Sequence, residues 1–183
     1  MSPASASVLP DNAELLISAG EVKAGFDRLA ADLQPLVSSG EVVLLAVMTG
    51  GLFPLARISE RLMGDFEIDY CHATRYLGET RGSTLHWERR PGERIAGKHV
   101  LVIDDIYDKG VTLTAVMEAC RVAGAAQVHS VVGMIKDTDR DETLPLPDFS
   151  TGIVIPDVYV FGCGMDMAER WRHLPAIYAL RED

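Results

Sequence analysis

Val100-Leu101-Val102-Ile103-Asp104-Asp105-Ile106-Tyr107-Asp108-Lys109-Gly110-Val111-Thr112-Leu113 is the stretch that decides the fold. An apolar run ends in two adjacent carboxylates, and a short turn with a third carboxylate and a glycine then opens a helix. Such a run, bounded by turn residues, suits a strand buried on both faces. In an open parallel sheet, ligands bind beyond the carboxyl ends of the strands, so this loop points at the place where a ligand belongs. The N–H groups of Lys109, Gly110, Val111 and Thr112 fall at a helix N-terminus, where a phosphate is stabilised. Gly110 permits a tight turn, and Thr112 adds a hydroxyl donor. Asp104 and Asp105 can accept hydrogen bonds from vicinal sugar hydroxyls, directly or through waters on a magnesium ion. Three acids at a helix start also serve as caps and dipole complements, so the pattern as a whole, not the acid pair, carries the information.

The same strand-then-helix punctuation repeats on either side. Upstream, Ser18 and Glu21 form a capping box, with Ile17 placed to staple onto Val22, and Val22, Phe26, Leu29, Ala30 and Leu33 recur at helical spacing. Pro35 and Gly40 are expected to close that helix. Val42 to Val47 is a second buried strand, Gly50-Gly51 punctuates it, and a helix follows through Leu55, Ile58 and Leu62. A strand is expected around Phe66 to Thr74, and the polar, glycine-bearing segment from Tyr76 to Gly97 reads as a long loop or loose hairpin. Downstream, His99 to Ile103 is a strand, Val111 to Ala123 a helix ended by Gly124, and Val128 to Ile135 another strand. The alternation implies an α/β fold with a parallel sheet and right-handed crossovers. A core is expected over about 36–140, with a small hood built from about 13–35 and 141–183.

Composition narrows the function classes. The chain has 183 residues, 48% of them hydrophobic, which fits one domain with a real core. No run approaches the roughly 20 apolar residues that span a bilayer. Met1 to Asn12 lacks the regions of a signal peptide. Three dispersed cysteines, Cys71, Cys120 and Cys163, suggest reduced thiols and a cytoplasmic protein. A formal net charge of −10 argues against a bulk nucleic-acid binder. Between Arg75 and Lys98, however, six basic residues stand against three acidic ones, a candidate contact for a small anion.

The string from Val100 to Thr112 resembles the phosphoribosyl pyrophosphate (PRPP) motif of the type I phosphoribosyltransferases: apolar strand, two acids, two apolar residues, acid, any residue, glycine, any residue, threonine. The resemblance narrows to the bacterial hypoxanthine-guanine branch and covers nearly the whole chain. It implies a parallel-sheet fold with a small hood, transfer of phosphoribose from PRPP to a 6-oxopurine, and magnesium. Asp104, Asp105 and Asp108 to Thr112 are then the ribose and 5′-phosphate site, with Asp108 the catalytic residue. Val47-Met48-Thr49-Gly50-Gly51 is similar to the family's pyrophosphate loop, which commonly holds a cis peptide, here between Met48 and Thr49. Thr49, Gly50, Gly51 and Arg172 would meet pyrophosphate. His72-Ala73-Thr74-Arg75-Tyr76, followed by Thr80 and Gly82, looks like the start of the family's mobile loop.

In the tail, Val132 to Asp137 resembles the strand whose lysine, here Lys136, donates to the purine 6-oxo group. Pro156 to Asp166 resembles the base-binding segment, with Tyr159 stacking on the purine and the Val160 backbone on its edge. Asp166, with Asp104 and Asp105, would hold magnesium. The resemblance also implies a homodimer or homotetramer. Two residues depart from the pattern: Lys109 stands where many relatives carry Thr, and Thr49 where many carry Lys. A xanthine-specific enzyme and a non-catalytic, RNA-binding sensor of the same fold are the alternatives, and the net charge disfavours the second.

Overall fold

The computed structural model describes residues 9–75, 85–141 and 143–181, with the backbone alone described at Arg75. Tyr76, Thr80 and Gly82 lie outside the described residues. Element order is β1 (Ala13–Ile17), α1 (Ala19–Val37), β2 (Val42–Met48), α2 (Leu52–Ser59), β3 (Glu67–Arg75), β4 (Leu85–Arg89), a 3-10 turn (Glu93–Ile95), β5 (His99–Tyr107), α3 (Val111–Val122), β6 (Gln127–Asp137), β7 (Phe149–Pro156), β8 (Val160–Phe161) and β9 (Ile177–Leu180). A six-stranded sheet has the order β4-β3-β2-β5-β6-β7. Its pairings are parallel except β3 with β4. A three-stranded antiparallel sheet, β1-β9-β8, joins the two ends of the chain.

The continuous apolar strands are explained by two cores, one on each face. In β2, Leu44 and Ala46 pack with Phe26, Leu29 and Leu33 of α1 and Ile58 of α2. The alternate residues Val43, Leu45 and Val47 pack with Leu113, Val116 and Cys120 of α3. Successive side chains point to opposite faces, so a strand covered on both sides needs apolar residues throughout. The Ser18–Glu21 capping box is present in both directions. Val22, Phe26, Leu29, Leu33 and Val37 form the buried stripe of α1. Ile17, Val160 and Ile177 join the same core, which fastens the small sheet over the α1 side.

Four elements depart from the sequence expectation or decide between its alternatives. First, α1 continues through Pro35 to Val37. Proline removes one N–H bond within the last turn, and the burial of Val37 and a bond from Ser38 N–H to the Gln34 carbonyl (3.1 Å) offset it. Second, β5 runs past Ile103 to Tyr107, because Asp104, Ile106 and Tyr107 pair with Val132, Met134 and Ile135 of β6. Asp104 and Asp105 therefore sit on a strand and not in a loop. Third, of the loop or loose hairpin expected from Tyr76 to Gly97, it is the hairpin that forms, with β4 pairing antiparallel to β3. Fourth, β7 extends the large sheet beside β6, so only β8 and β9 of the tail belong to the small sheet.

Candidate functional site

A cavity of about 410 Å³ opens beyond the carboxyl ends of β2, β5 and β6. Five separated segments reach it: Val47 to Gly50, Ala73 of β3, Asp104 to Leu113, Lys136, and Val158 to Arg172. Asp104, Asp105, Asp108, Gly110 and Thr112 line it, as do Thr49, Gly50, Lys136, Tyr159, Val160, Asp166 and Arg172. Gly51, Lys109 and Val111 do not line its wall, although sequence grouped them with the same loops. The Gly51 N–H donates to the Val47 carbonyl at 2.8 Å, so it is already spent on the turn into α2.

Asp105 is the tightest part of the site. It is 8% exposed, and its N–H donates to Asp104 Oδ1 at 3.0 Å. Burial pushes its carboxyl above the usual carboxylate range, and the nearby Arg172 guanidinium opposes that rise. Space around it exists because Gly50 has no side chain: a Cβ there would stand 2.0 Å from Asp105 Oδ2. The peptide joining Met48 to Thr49, directly before this glycine, is cis.

The turn after β5 is built on Tyr107 and Gly110. Tyr107 is buried, and its hydroxyl donates to the Pro145 carbonyl at 2.8 Å. Gly110 adopts φ +78°, a left-handed conformation that glycine takes without penalty, and a Cβ there would lie 2.5 Å from the Tyr107 hydroxyl. α3 starts at the next residue, so its N-terminus lies beside Gly110 and Thr112 of the cavity wall. The Lys109 side chain leaves this turn and does not line the cavity. Its ammonium donates to Thr138 Oγ1 at 3.1 Å and to the Asp139 carbonyl, reaching across to the end of β6.

On the opposite wall, Lys136 forms an ion pair with Asp157 at 2.9 Å. Thr138 Oγ1 donates to the other Asp157 oxygen at 2.5 Å. These bonds, Thr138 first and Lys136 second, hold the Asp157 carboxyl below its usual range. Tyr159 is 53% exposed, and its hydroxyl donates to the Asp166 carbonyl at 3.1 Å. Val160 is fixed by its pairing with Ala179 of β9. Sequence reading missed Asp157; its position between Pro156 and the Tyr159 segment was the only local signal, and the partner lysine is far away in the chain.

Asp166 and Arg172 close the third wall. Their side chains pair at 2.8 Å, Arg172 also donates to the Gly164 carbonyl at 2.7 Å, and Asp166 Oδ2 accepts from the Glu169 N–H at 2.9 Å. The turn between them is compact, with positive φ at Ala168, Glu169 and Trp171. Among the described residues no group of three or more His, Cys, Asp or Glu forms a metal cage. Magnesium commonly keeps waters and takes one or two carboxylates plus substrate phosphates. The hard oxygen donors of Asp104, Asp105 and Asp166 on one cavity fit that mode.

A mostly parallel, open sheet with its cavity at the carboxyl ends of adjacent strands and beside a helix N-terminus is the arrangement in which open α/β sheets bind ligands. The phosphoribosyl transferase domain family matches residues 16–170, and the chain belongs to that family. The hypoxanthine phosphoribosyltransferase of Escherichia coli (strain K12) is 29% identical over 167 residues, covering 90% of this chain and 93% of the relative. The hypoxanthine-guanine-xanthine phosphoribosyltransferase of Tritrichomonas foetus is 26% identical over 175 residues, covering 96% and 95%. A crystal structure of a hypoxanthine-guanine phosphoribosyltransferase from Bacillus anthracis superposes with a TM-score of 0.83 at 25% identity, over 92% of this chain and 98% of that one. No helix among the described residues is long and apolar enough to cross a membrane.

Proposed function

We propose that the chain is a purine-salvage enzyme that joins hypoxanthine or guanine to the phosphoribosyl group of PRPP, giving IMP or GMP and pyrophosphate. The observation that carries this reading is the meeting, on one cavity, of the acid pair near the end of β5, the turn at Gly110, the loop at Thr49 and Gly50, and Lys136 with the half-exposed Tyr159 ring. The 5′-phosphate sits at the N-terminus of α3, on the N–H groups between Asp108 and Thr112. Asp104 and Asp105 accept hydrogen bonds from the ribose hydroxyls. Thr49, Gly50 and Arg172 receive pyrophosphate; with the Gly51 N–H bonded to Val47, the peptide groups of Thr49 and Gly50 carry that contact.

The Lys136 ammonium donates to the 6-oxo group, the Tyr159 ring lies against the purine, and the Val160 backbone meets its edge. The bond from C1′ to pyrophosphate breaks, the bond from C1′ to N9 forms, and a proton leaves the purine. Carboxylates fixed beside C1′ stabilise the positive charge that grows there. Asp108 serves as the acid–base group for the purine proton. Magnesium, for which Asp104, Asp105 and Asp166 are the candidate ligands, supplies charge neutralisation on the leaving group when bound. Adenine is disfavoured, since its amino group sets a donor against the Lys136 donor.

Xanthine also carries a 6-oxo group and is the competing base. A steady-state panel of hypoxanthine, guanine, xanthine and adenine with PRPP tests the assignment: turnover with hypoxanthine or guanine is expected, and turnover with adenine alone would refute it. The cytoplasm is the compartment proposed, in keeping with three buried, unpaired cysteines. A homodimer or homotetramer is proposed as the assembly, in keeping with Ile68 and Tyr70, exposed two residues apart on β3; sedimentation of a monomer would refute it.

A further inference from the structure

A chain of polar contacts runs from the turn after β5 to the base side of the cavity. Lys109 Nζ donates to Thr138 Oγ1 at 3.1 Å, and Thr138 Oγ1 donates to Asp157 Oδ2 at 2.5 Å. Asp157 Oδ1 pairs with Lys136 Nζ at 2.9 Å. A hydroxyl has one donor and two acceptor sites, so Thr138 can serve both neighbours at once, giving its proton to the carboxylate and accepting from the ammonium. Both carboxylate oxygens of Asp157 are thereby held from the β6 side, although the residue is on the segment between β7 and β8. Lys136 itself is only partly exposed, with its side chain at 18%, while Asp157 is at 54%.

A lysine has four rotatable side-chain bonds and an ammonium that is satisfied in many directions. Its use as a selective donor requires that something fix its end. Among the described residues, the Asp157 carboxylate is the ion-pair partner of the Lys136 ammonium. It leaves two further N–H groups for other acceptors. A charged donor also discriminates a carbonyl from an amino group more sharply than a neutral one.

We infer that Asp157 is a positioning residue for Lys136, braced by Thr138 and Lys109, and that it sets how strongly the site selects the 6-oxo group; this rests on the 6-oxopurine reading of the cavity. Asp157 touches no reacting atom and acts through the lysine. The bracing also gives Lys109 a role: it ties the turn after β5 to the end of β6, so the two halves of the site are held in one register.

Steady-state turnover of Asp157→Asn, Lys136→Ala and the double variant tests the inference. Asp157→Asn is expected to lower kcat/KM for hypoxanthine about tenfold, the range of a lost hydrogen bond to a charged group, mainly through KM for the base. KM for PRPP should move by less than about twofold, since the phosphate and ribose contacts are untouched. Placed in the Lys136→Ala background, Asp157→Asn should add nothing further, because its partner is gone. Asp157→Glu should recover part of the loss, and Thr138→Val should give a smaller loss of the same kind. An Asp157→Asn variant with wild-type KM for hypoxanthine, or a loss that persists undiminished without Lys136, overturns the inference. A wild-type chain that uses neither hypoxanthine nor guanine overturns the purine reading and this inference with it, and that failure is told apart from the first by the wild type alone.

Discussion

Replacing Gly50 by alanine is the most exacting perturbation of the site. The added Cβ would stand 2.0 Å from Asp105 Oδ2 and 2.4 Å from Asp105 Cγ. Real Cβ contacts stay at 3.0 Å or beyond, so the carboxylate must retreat by at least 1.0 Å, the difference between 3.0 and 2.0 Å. Retreat is hindered on the other side, where Gly164 approaches so closely that its own Cβ would lie 2.8 Å from Asp105 Cβ. Overpacking of this kind costs about 1–3 kcal/mol. For a chain of this length that lowers the thermal midpoint by about 2–12 °C. A 1 Å misplacement of a group that positions substrate costs about 10²-fold in rate, and kcat/KM for PRPP should fall by that order. The assays are a thermal melt and IMP formation followed spectrophotometrically at varied PRPP. Gly40→Ala is the control, since nothing lies within 4 Å of a Cβ there. A Gly50→Ala variant with wild-type midpoint and wild-type kcat/KM for PRPP would refute the claim that Gly50 is glycine to make room for Asp105.

Three further outcomes are expected. Asp108→Asn should lower kcat by about 10²-fold or less, the low end for acid–base assistance, with KM for PRPP nearly unchanged; wild-type kcat across pH would leave Asp108 as a turn-shaping residue. Lys136→Ala should reduce kcat/KM for hypoxanthine and guanine far more than it raises KM for PRPP, and unchanged values for both bases would remove it from the base site. Hydrogen bonds from Lys23 and Arg61 depress the Asp27 carboxyl below the ordinary aspartate value of 3.8. A depressed carboxylate stabilises the fold above its unfolded pKa and loses that contribution as pH falls through the folded value. The gap in thermal midpoint between wild type and Asp27→Asn should therefore be present at neutral pH and close on acidification; a gap that widens in acid would contradict the pairing.

The sheet was legible because its strands needed apolar residues on both faces, and the runs at Val42 and Val100 could be read without knowing what packs on them. The strand-to-helix loops carried the site for a similar reason: acids, glycine and threonine within one turn are local chemistry. What escaped were properties made by contacts distant in sequence. Asp104 and Asp105 read as loop residues because two acids look like a strand end, yet the ladder to β6 and the buried Tyr107 carry the strand beyond them. Lys109 was legible only through its N–H group in the turn, whereas its long side chain reaches Thr138 and Asp139, which are distant in sequence. Asp157 was passed over because its meaning lies in Lys136, which sits on another strand. β7 read as part of a hood, since a short, glycine-containing run after several prolines gives no sign of which sheet it will join.

Transfer of phosphoribose to a 6-oxopurine in this cavity is the reaction on which the proposed residue roles rest. Incubation of the full chain with PRPP, magnesium and hypoxanthine, with IMP and pyrophosphate quantified together, tests it most directly. The two products are expected in equal amounts, with turnover of guanine as well, and chelation by EDTA should abolish both. Pyrophosphate released without any nucleotide, or no turnover with either base while adenine is consumed, would contradict that reaction.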